Sequence, residues 1–312
     1  MRAPQTRSYP APGPQGPGGT IPDPDAQDIE ALRGCRIDAW HSAALPWQVL
    51  GSAPSPGLQA YALLDMTFAP DQWNALDALA PQCWVNLFQQ MGSEATVWPF
   101  APAVVALPAL DAPTLAACWT GLLALCAGRP MLSVLVCSAP FPELCAHLQR
   151  QLWARFEGAG PALLRWADPR ALPALLAILR PGQRQRLLQG IDGWYSSTRD
   201  GRWSLTVGDA TQPFNPAAEP YWISATQAAA MGAAGAADEV TQFLLGSARH
   251  RHRQPVPSQL HADATAVLAT LPAEAEDRVA RAIRQLLRQQ AGRAAARAVA
   301  RDVPSDDPER AA

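Results

Sequence analysis

Lysine is absent from this chain: all 25 of its basic residues, among 312, are arginine. Every cation therefore offers planar, bidentate ion pairing instead of a compact ammonium. Charge is scarce as well, at 17% of residues with a net of −2. The molecule as a whole sets up no strong field for nucleic acid or for an anionic membrane. None of the six cysteines forms a CxxC pair, and no Cys/His cluster has zinc-ligand spacing. Four cysteines fall inside apolar segments, as small buried hydrophobes do, and free thiols in a core point to a reducing compartment. No apolar h-region follows the first residues, so no signal peptide is expected and the cytoplasm is the expected location. The uncharged run Ala112 to Gly128 is shorter than the roughly 20 residues that span a bilayer. It carries Pro113 and Gly121 and reads as a buried helix. GxSxG, Walker A, HExxH and GxGxxG motifs are all missing, which deprives an enzyme reading of its strong handles.

What the chain does have is core-forming material: 48% hydrophobic residues and eleven tryptophans. Residues 1–57 form a Pro/Gly-rich leader and linker. The first 25 or so read as disordered, Asp25 to Gly34 as a short helix, and Ile37 to Leu50, with Trp40 and Trp47, as a segment packing on the domain edge. Residues 58–209 read as an α/β domain, a mixed α+β lobe whose central sheet is flanked by helices. Its opening strand, Tyr61 to Asp65, is too apolar to alternate, as expected when both sheet faces are covered. A helix over Pro70–Leu79, strands over Trp84–Phe88 and Ala103–Leu107, and a helix over Ala112–Ala127 follow. Gly193 to Thr198 and Arg202 to Val207 read as a hairpin across Arg199-Asp200-Gly201. Past Gly208 the composition turns Ala-rich, predicting an all-helical lobe over 210–312 with helices at Ser224–Leu245 and Ala262–Val299.

The polar punctuation concentrates between Met131 and Leu179. Leu132 to Cys137 reads as a buried strand, Pro142 to Phe156 as an amphipathic helix, Ala162 to Trp166 as a short strand, and Asp168-Pro169-Arg170 as a turn opening another helix. On a helical wheel Glu143, His147 and Arg150 share one face, opposite Leu144, Leu148 and Leu152. His147 as a general base oriented by Glu143, or a hydrolase pairing His147 with Asp168, is the sharper reading. A pairing at i,i+4 on a solvated face is the plainer one. Asp168 suits a helix N-cap with Pro169 at the first helical position. Arg170 is then free to pair with a carboxylate such as Glu143 or Asp65. Pro173, one turn in, should shorten that helix. In the last helix Arg278, Arg281, Arg284 and Arg288 face away from Val279, Ile283 and Leu286. A nucleic-acid track is conceivable there, but Glu274, Glu276 and Asp277 beside it favour a solvated face. Arg249 to Arg253 reads as a basic loop whose two histidines make a poor metal site.

Three segments in order carry a family resemblance: Tyr61-Ala62-Leu63-Leu64-Asp65; the strand to Ser138 running into Glu143-Leu144-Cys145-Ala146-His147-Leu148-Gln149-Arg150; and Leu164-Arg165-Trp166-Ala167-Asp168-Pro169-Arg170. The chain resembles the adaptor family of bacterial type VI secretion, also called effector chaperones, over about residues 58 to 207. Gln149 departs from the arginine usual after His-Leu, and Met66-Thr67 from the small residues usual after the aspartate. The resemblance marks Asp65, His147, Arg150, Arg165, Asp168, Pro169 and Arg170 as family-motif positions that hold the shape of the lobe. It implies a non-catalytic cytoplasmic protein without cofactor or metal. Its partners would be a cognate type VI secretion effector and the VgrG/PAAR spike components, with no nucleic acid and no membrane.

Overall fold

The computed structural model describes residues 36–52, 54–88, 97–107, 113–215, 220–247, 256–272 and 277–301. In chain order they form α1 (Pro46–Leu50), β1 (Gln59–Asp65), α2 (Trp73–Leu79), β2 (Trp84–Asn86), β3 (Pro102–Ala106), α3 (Pro113–Leu125), β4 (Leu132–Cys137), α4 (Phe141–Arg150), β5 (Trp153–Phe156) and β6 (Gly160–Leu163). There follow α5 (Leu172–Ile178), α6 (Pro181–Leu188), β7 (Gly193–Ser197), β8 (Trp203–Val207), β9 (Tyr221–Ile223), α7 (Ala225–Gly246), α8 (Pro257–Thr270) and α9 (Arg278–Arg301). A short 3₁₀ turn, Met66–Phe68, continues β1. The fold is a mixed α/β lobe followed by helices, as the sequence indicates.

The main sheet has six strands in the order β2-β3-β1-β4-β7-β8, every neighbouring pair antiparallel. β1 and β4 lie at its centre and, apart from Gln59, are buried along their length and largely apolar because both of their faces are covered. Tyr61, Leu63, Leu135 and Trp194 point to the side where α4, α5 and α6 bring Leu148, Leu175 and Leu187. Ala62, Leu64, Val134 and Tyr195 point to the other, against Leu76 of α2, Leu122 of α3 and Trp47 of α1. Each fully buried leucine contributes roughly 1.5–3 kcal/mol of transfer free energy. These two layers are what hold the lobe together.

The predicted strand–helix–strand succession does not build a crossover within one sheet. The helix expected over 142–156 stops at Arg150, and Trp153–Phe156 is a strand instead. Leu144 and Leu148 anchor the helix, whereas Leu152 and Ala154 are already spaced as strand residues filling the same core. The second strand also lies earlier than expected, at Gly160–Leu163. It pairs with β5, and β5 pairs in parallel with β9, making a separate three-stranded sheet. The single long helix expected over 262–299 is two, α8 and α9. α7, α8 and α9 share a core of their own, including Val240, Leu244, Ala264, Leu268, Ala282 and Leu286. The leader up to residue 35 and the Arg249–Arg253 loop lie outside the described residues.

Residues 36–41 form a strap across the β7–β8 hairpin. The Asp38 amide donates to the Arg199 carbonyl at 2.9 Å and the His41 amide to the Gly201 carbonyl at 3.1 Å. Gly201 sits at φ +73°, and a Cβ there would lie 2.0 Å from the Ala39 carbonyl oxygen, so the turn needs glycine twice over. Trp40 stacks on Trp203 at 5.6 Å and donates its indole N–H to the Leu123 carbonyl. The strap also reaches the helical region: the Asp38 carboxylate accepts from the Ser258 amide at 3.1 Å and from its hydroxyl, at the start of α8.

Candidate functional site

The end of β1 and the turn before α5 bring three of the motif side chains together, and the same turn carries a fourth. Asp65 closes β1, where its carboxylate accepts from the Thr67 amide and hydroxyl and so fixes the 3₁₀ turn. Arg165 reaches across with Nη2, 3.4 Å from Asp65 Oδ2 and 3.2 Å from Asp168 Oδ2. Asp168 does not cap a helix. α5 begins only at Leu172; the backbone carbonyl of Asp168 receives the Ala171 and Leu172 amides, and its side chain is left for arginine. Oδ1 accepts from the Arg170 amide and Nε, and Oδ2 from Arg170 Nη2 at 3.0 Å, a two-pronged pairing that folds Arg170 back on its own turn. Pro169 is buried within that turn and lies ahead of the first helical position. Pro173 falls in the first turn of α5, where no donor is needed, so it breaks nothing.

Arg170 then meets a carboxylate that sequence reasoning did not single out. Asp238 of α7 lies 3.7 Å from Arg170 and 2.6 Å from Arg199, and 3.8 Å from His261 of α8. The expected partners of Arg170, Glu143 or Asp65, are replaced by Asp168 and Asp238. A signal for Asp238 exists in the sequence: Asp238 and Glu239 are the sole charged residues of the 22-residue helix α7. Arg199 sits in a hairpin turn and carried no such mark.

Phe68 is the hub of the cluster. The guanidinium carbons of Arg36, Arg165 and Arg170 lie 5.3, 5.8 and 5.0 Å from its ring centroid. Burial raises the Asp65 carboxyl above the usual range despite its Thr67 bonds and Arg165. Arg165 is 56% exposed, so solvent screens its pull and burial prevails. Asp238 goes the other way: burial opposes its charge, but the Arg199 hydrogen bonds and Arg170 outweigh it and hold the carboxyl low. Burial, with Arg170 and Arg165 alongside, lowers the guanidinium of Arg36. Burial works against the charge of Arg170, yet Asp168 and then Asp238 leave it raised.

His147 and Arg150 stand apart from this cluster. His147 is 1% exposed, whereas Glu143, which was to share its face, is exposed. The polar face drawn on the helical wheel is broken because α4 leans on α6 and on the loop after β8. His147 Nε2 lies 3.2 Å from the Leu187 carbonyl, and its ring stacks on Phe214 at 4.2 Å. A carbonyl only accepts, so Nε2 carries the proton and Nδ1 is bare; Nδ1 has no partner among the described residues. Burial, with the nearby Arg150 and Arg186 charges, pushes the imidazole down to about 4. Gly190 makes the stacking possible: at φ +72°, a Cβ there would lie 2.4 Å from the Phe214 ring. Arg150 is half-buried, and its Nε lacks a partner among the described residues. Gln149, the departure from the family pattern, donates to the Leu87 carbonyl at 3.2 Å. Among the described residues, His147 and Asp168 share no partner.

Two cavities open beside the cluster. One, of about 480 Å³, is lined by Arg36, Asp65, Phe68 and Phe88. The other, of about 800 Å³, runs between α5 and the helices α7 and α8, past Arg170, Asp238 and His261. They share Leu163, Leu164, Arg165 and Gln242 and so form one groove with Arg165 at its middle.

Residues 60–186 match the family model described as Domain of unknown function (DUF4123). No curated protein and no solved structure gives a significant match. All seven motif side chains lie inside the DUF4123 segment, yet the ionic network does not. Arg36 precedes that segment, and Arg199, Asp238 and His261 follow it. The sheet also extends past it, through β7 and β8. Among the described residues, no helix is long and apolar enough to cross a membrane.

Three arginines of α9 are committed locally. Arg281 and Arg284 pair with Asp277, and Arg278 donates to the Leu268 carbonyl at 2.7 Å.

Proposed function

We propose that this chain is a cytoplasmic, non-catalytic adaptor of type VI secretion, binding a cognate effector and promoting its loading on the VgrG/PAAR spike. The observation that carries the reading is the DUF4123 match over residues 60–186, a domain family known for effector chaperones and adaptors. The geometry of the motif residues is in keeping with it. Asp65, Asp168 and Arg170 are spent on one turn, on the Arg165 Nη2 that bridges the two acids and on the seam with α7, an arrangement that fixes shape. His147 is neutral, enclosed and tied to a backbone carbonyl, which suits support of α6 better than proton transfer to a substrate. In this reading the α/β lobe docks one partner and the helices α7 to α9 offer a face to the other.

Pull-down of the tagged full chain from its native cell, read by mass spectrometry, tests the proposal. Recovery of one large effector together with a spike component is the expected result, and recovery of neither would overturn it. Deleting residues 210–312 separates the two docking roles. Retention of both partners at full affinity would remove that division of labour.

A further inference from the structure

The charged seam is layered, with its acids underneath and its guanidiniums outermost. The Asp65 and Asp168 side chains are 5% and 4% exposed, against 56% for Arg165. Arg165 uses Nη2 alone for both carboxylates, so Nε and Nη1 keep donors to spare. Arg36 is half-buried against Phe68, and among the described residues no carboxylate lies within ion-pair distance of it. Arg199 and Asp238 satisfy each other. Around Phe68 this leaves three guanidiniums facing two carboxylates, a surplus of one positive charge at the wall of the groove. Apolar side chains flank that charge on both sides, Phe88 and Leu152 toward one end and Leu175 and Met231 toward the other.

We propose that this groove takes an acidic peptide stretch of the effector, one carboxylate bridging Arg36 and the free edge of Arg165 while neighbouring apolar side chains fill the two cavities. The inference rests on the adaptor reading for the source of the peptide. A guanidinium surplus of a single charge asks for a single carboxylate. A phosphate track would bring repeated negative charge against Asp65, Asp168 and Asp238, and it would meet apolar walls. The bridging contact is a charge-assisted, two-pronged one, where arginine is most selective.

The test is fluorescence anisotropy on the full chain. The probes are a short fluorescein-labelled leucine-rich peptide with a single central Glu (Glu/Leu), the same peptide with Gln at that position (Gln/Leu), and a thymidylate dinucleotide, the shortest oligothymidylate, of equal charge. The Glu/Leu peptide is expected to bind and to weaken with salt. Arg36→Gln should cost it about tenfold or more in affinity. Arg284→Gln, on the solvated face of α9, should leave affinity unchanged. Arg36 is the residue to change because Arg165→Gln would uncover two buried carboxylates and endanger folding. Equal binding of the Gln/Leu peptide or of the oligothymidylate, no binding at all, or indifference to Arg36→Gln would overturn the proposal. Tighter binding after neutralising Asp23, Asp25, Asp28 and Glu30 would assign the groove to this chain's own acidic stretch and overturn it too. Effector capture that is equal for wild type and Arg36→Gln would sink the groove assignment and leave the adaptor reading standing. Arg36-dependent peptide binding without any captured effector would do the reverse.

Discussion

The lobe and its seam with the helical region are held by different forces. Within the lobe, α4 and α5 meet the sheet through leucine, tryptophan and alanine, with Trp166 and Leu148 fully enclosed. At the seam, Ala228 and Met231 of α7 also pack on the lobe's core, but the seam adds a layer of charge that the lobe's interior lacks: Asp238 with Arg170 and Arg199, and Asp38 of the strap at the start of α8. Apolar burial is non-directional and is not screened by counter-ions, whereas a seam of paired charges has one geometry and answers to pH and ionic strength. Such a joint adds little net stability beyond what a packed apolar contact would give. Its directional bonds place Asp238 of α7 against Arg170 and Arg199 at the wall of the groove.

The largest expected effect lies at the keystone of that seam. Asp168→Ala strips Arg165 and the enclosed Arg170 of their common acceptor. Unfolding in urea should show a loss of about 3–5 kcal/mol, the cost of stranding a buried charge. A loss under 1 kcal/mol would mean that Asp238 and water can replace Asp168. The lobe offers a contrasting probe at His147, where the sign is fixed by burial. The imidazole titrates at about 4 in the folded chain against its ordinary 6.5. Between those values the unfolded chain takes up a proton that the folded chain refuses. Stability therefore falls as pH drops through that window, by on the order of 3 kcal/mol. His261, lowered by burial and Arg199, acts in the same direction, and Asp65, raised by burial, acts against it. His147→Leu should flatten most of that acid limb. An unchanged limb would place the proton uptake in the seam instead.

A smaller effect is expected at Asp238→Asn, which keeps size and one acceptor while removing the charge that Arg170 and Arg199 share. Loss of roughly 1.5–3 kcal/mol of charge-assisted bonding should appear as faster hydrogen exchange in α7 and α8, with the β1 and β4 amides unaffected. Equal acceleration in the sheet would show that the seam and the lobe unfold together and that the contrast between them fails.

Much of the lobe was legible because its signals are local. The apolar runs at Tyr61–Asp65 and Leu132–Cys137, the Asp-Gly turn and the uncharged run ending at Gly128 each declare their structure within a few residues. Two things were not local. Strand partnership was one: β5 and β6 leave the main sheet for a small one completed by β9, some sixty residues on. The other was the facing of His147. A helical wheel gives the angle between Glu143 and His147 but says nothing of α6 and Phe214 arriving on one flank of the helix and not the other. For the candidate site, Asp65, Arg165, Asp168 and Arg170 were marked by motif. Asp238, Arg199 and Arg36 were not, since an ion pair between distant segments leaves no spacing to read.

The smallest predicted effect tests whether the strap belongs to the lobe or to the helices. Asp38 lies 220 residues from Ser258 and caps the start of α8 in place of a local residue, since Val256 at the N-cap has no side chain able to accept. Asp38→Ala should therefore behave as the loss of a helix cap, about 1 kcal/mol, and the loss should register in the exchange of the first turn of α8. The backbone bonds of the strap to Arg199 and Gly201 do not involve the Asp38 side chain, so the β7–β8 hairpin should keep its protection. If both segments loosen together, the strap is one cooperative unit with the helices. Arg36 would then be positioned by the helical region as much as by the lobe, and the groove would widen whenever α8 frays.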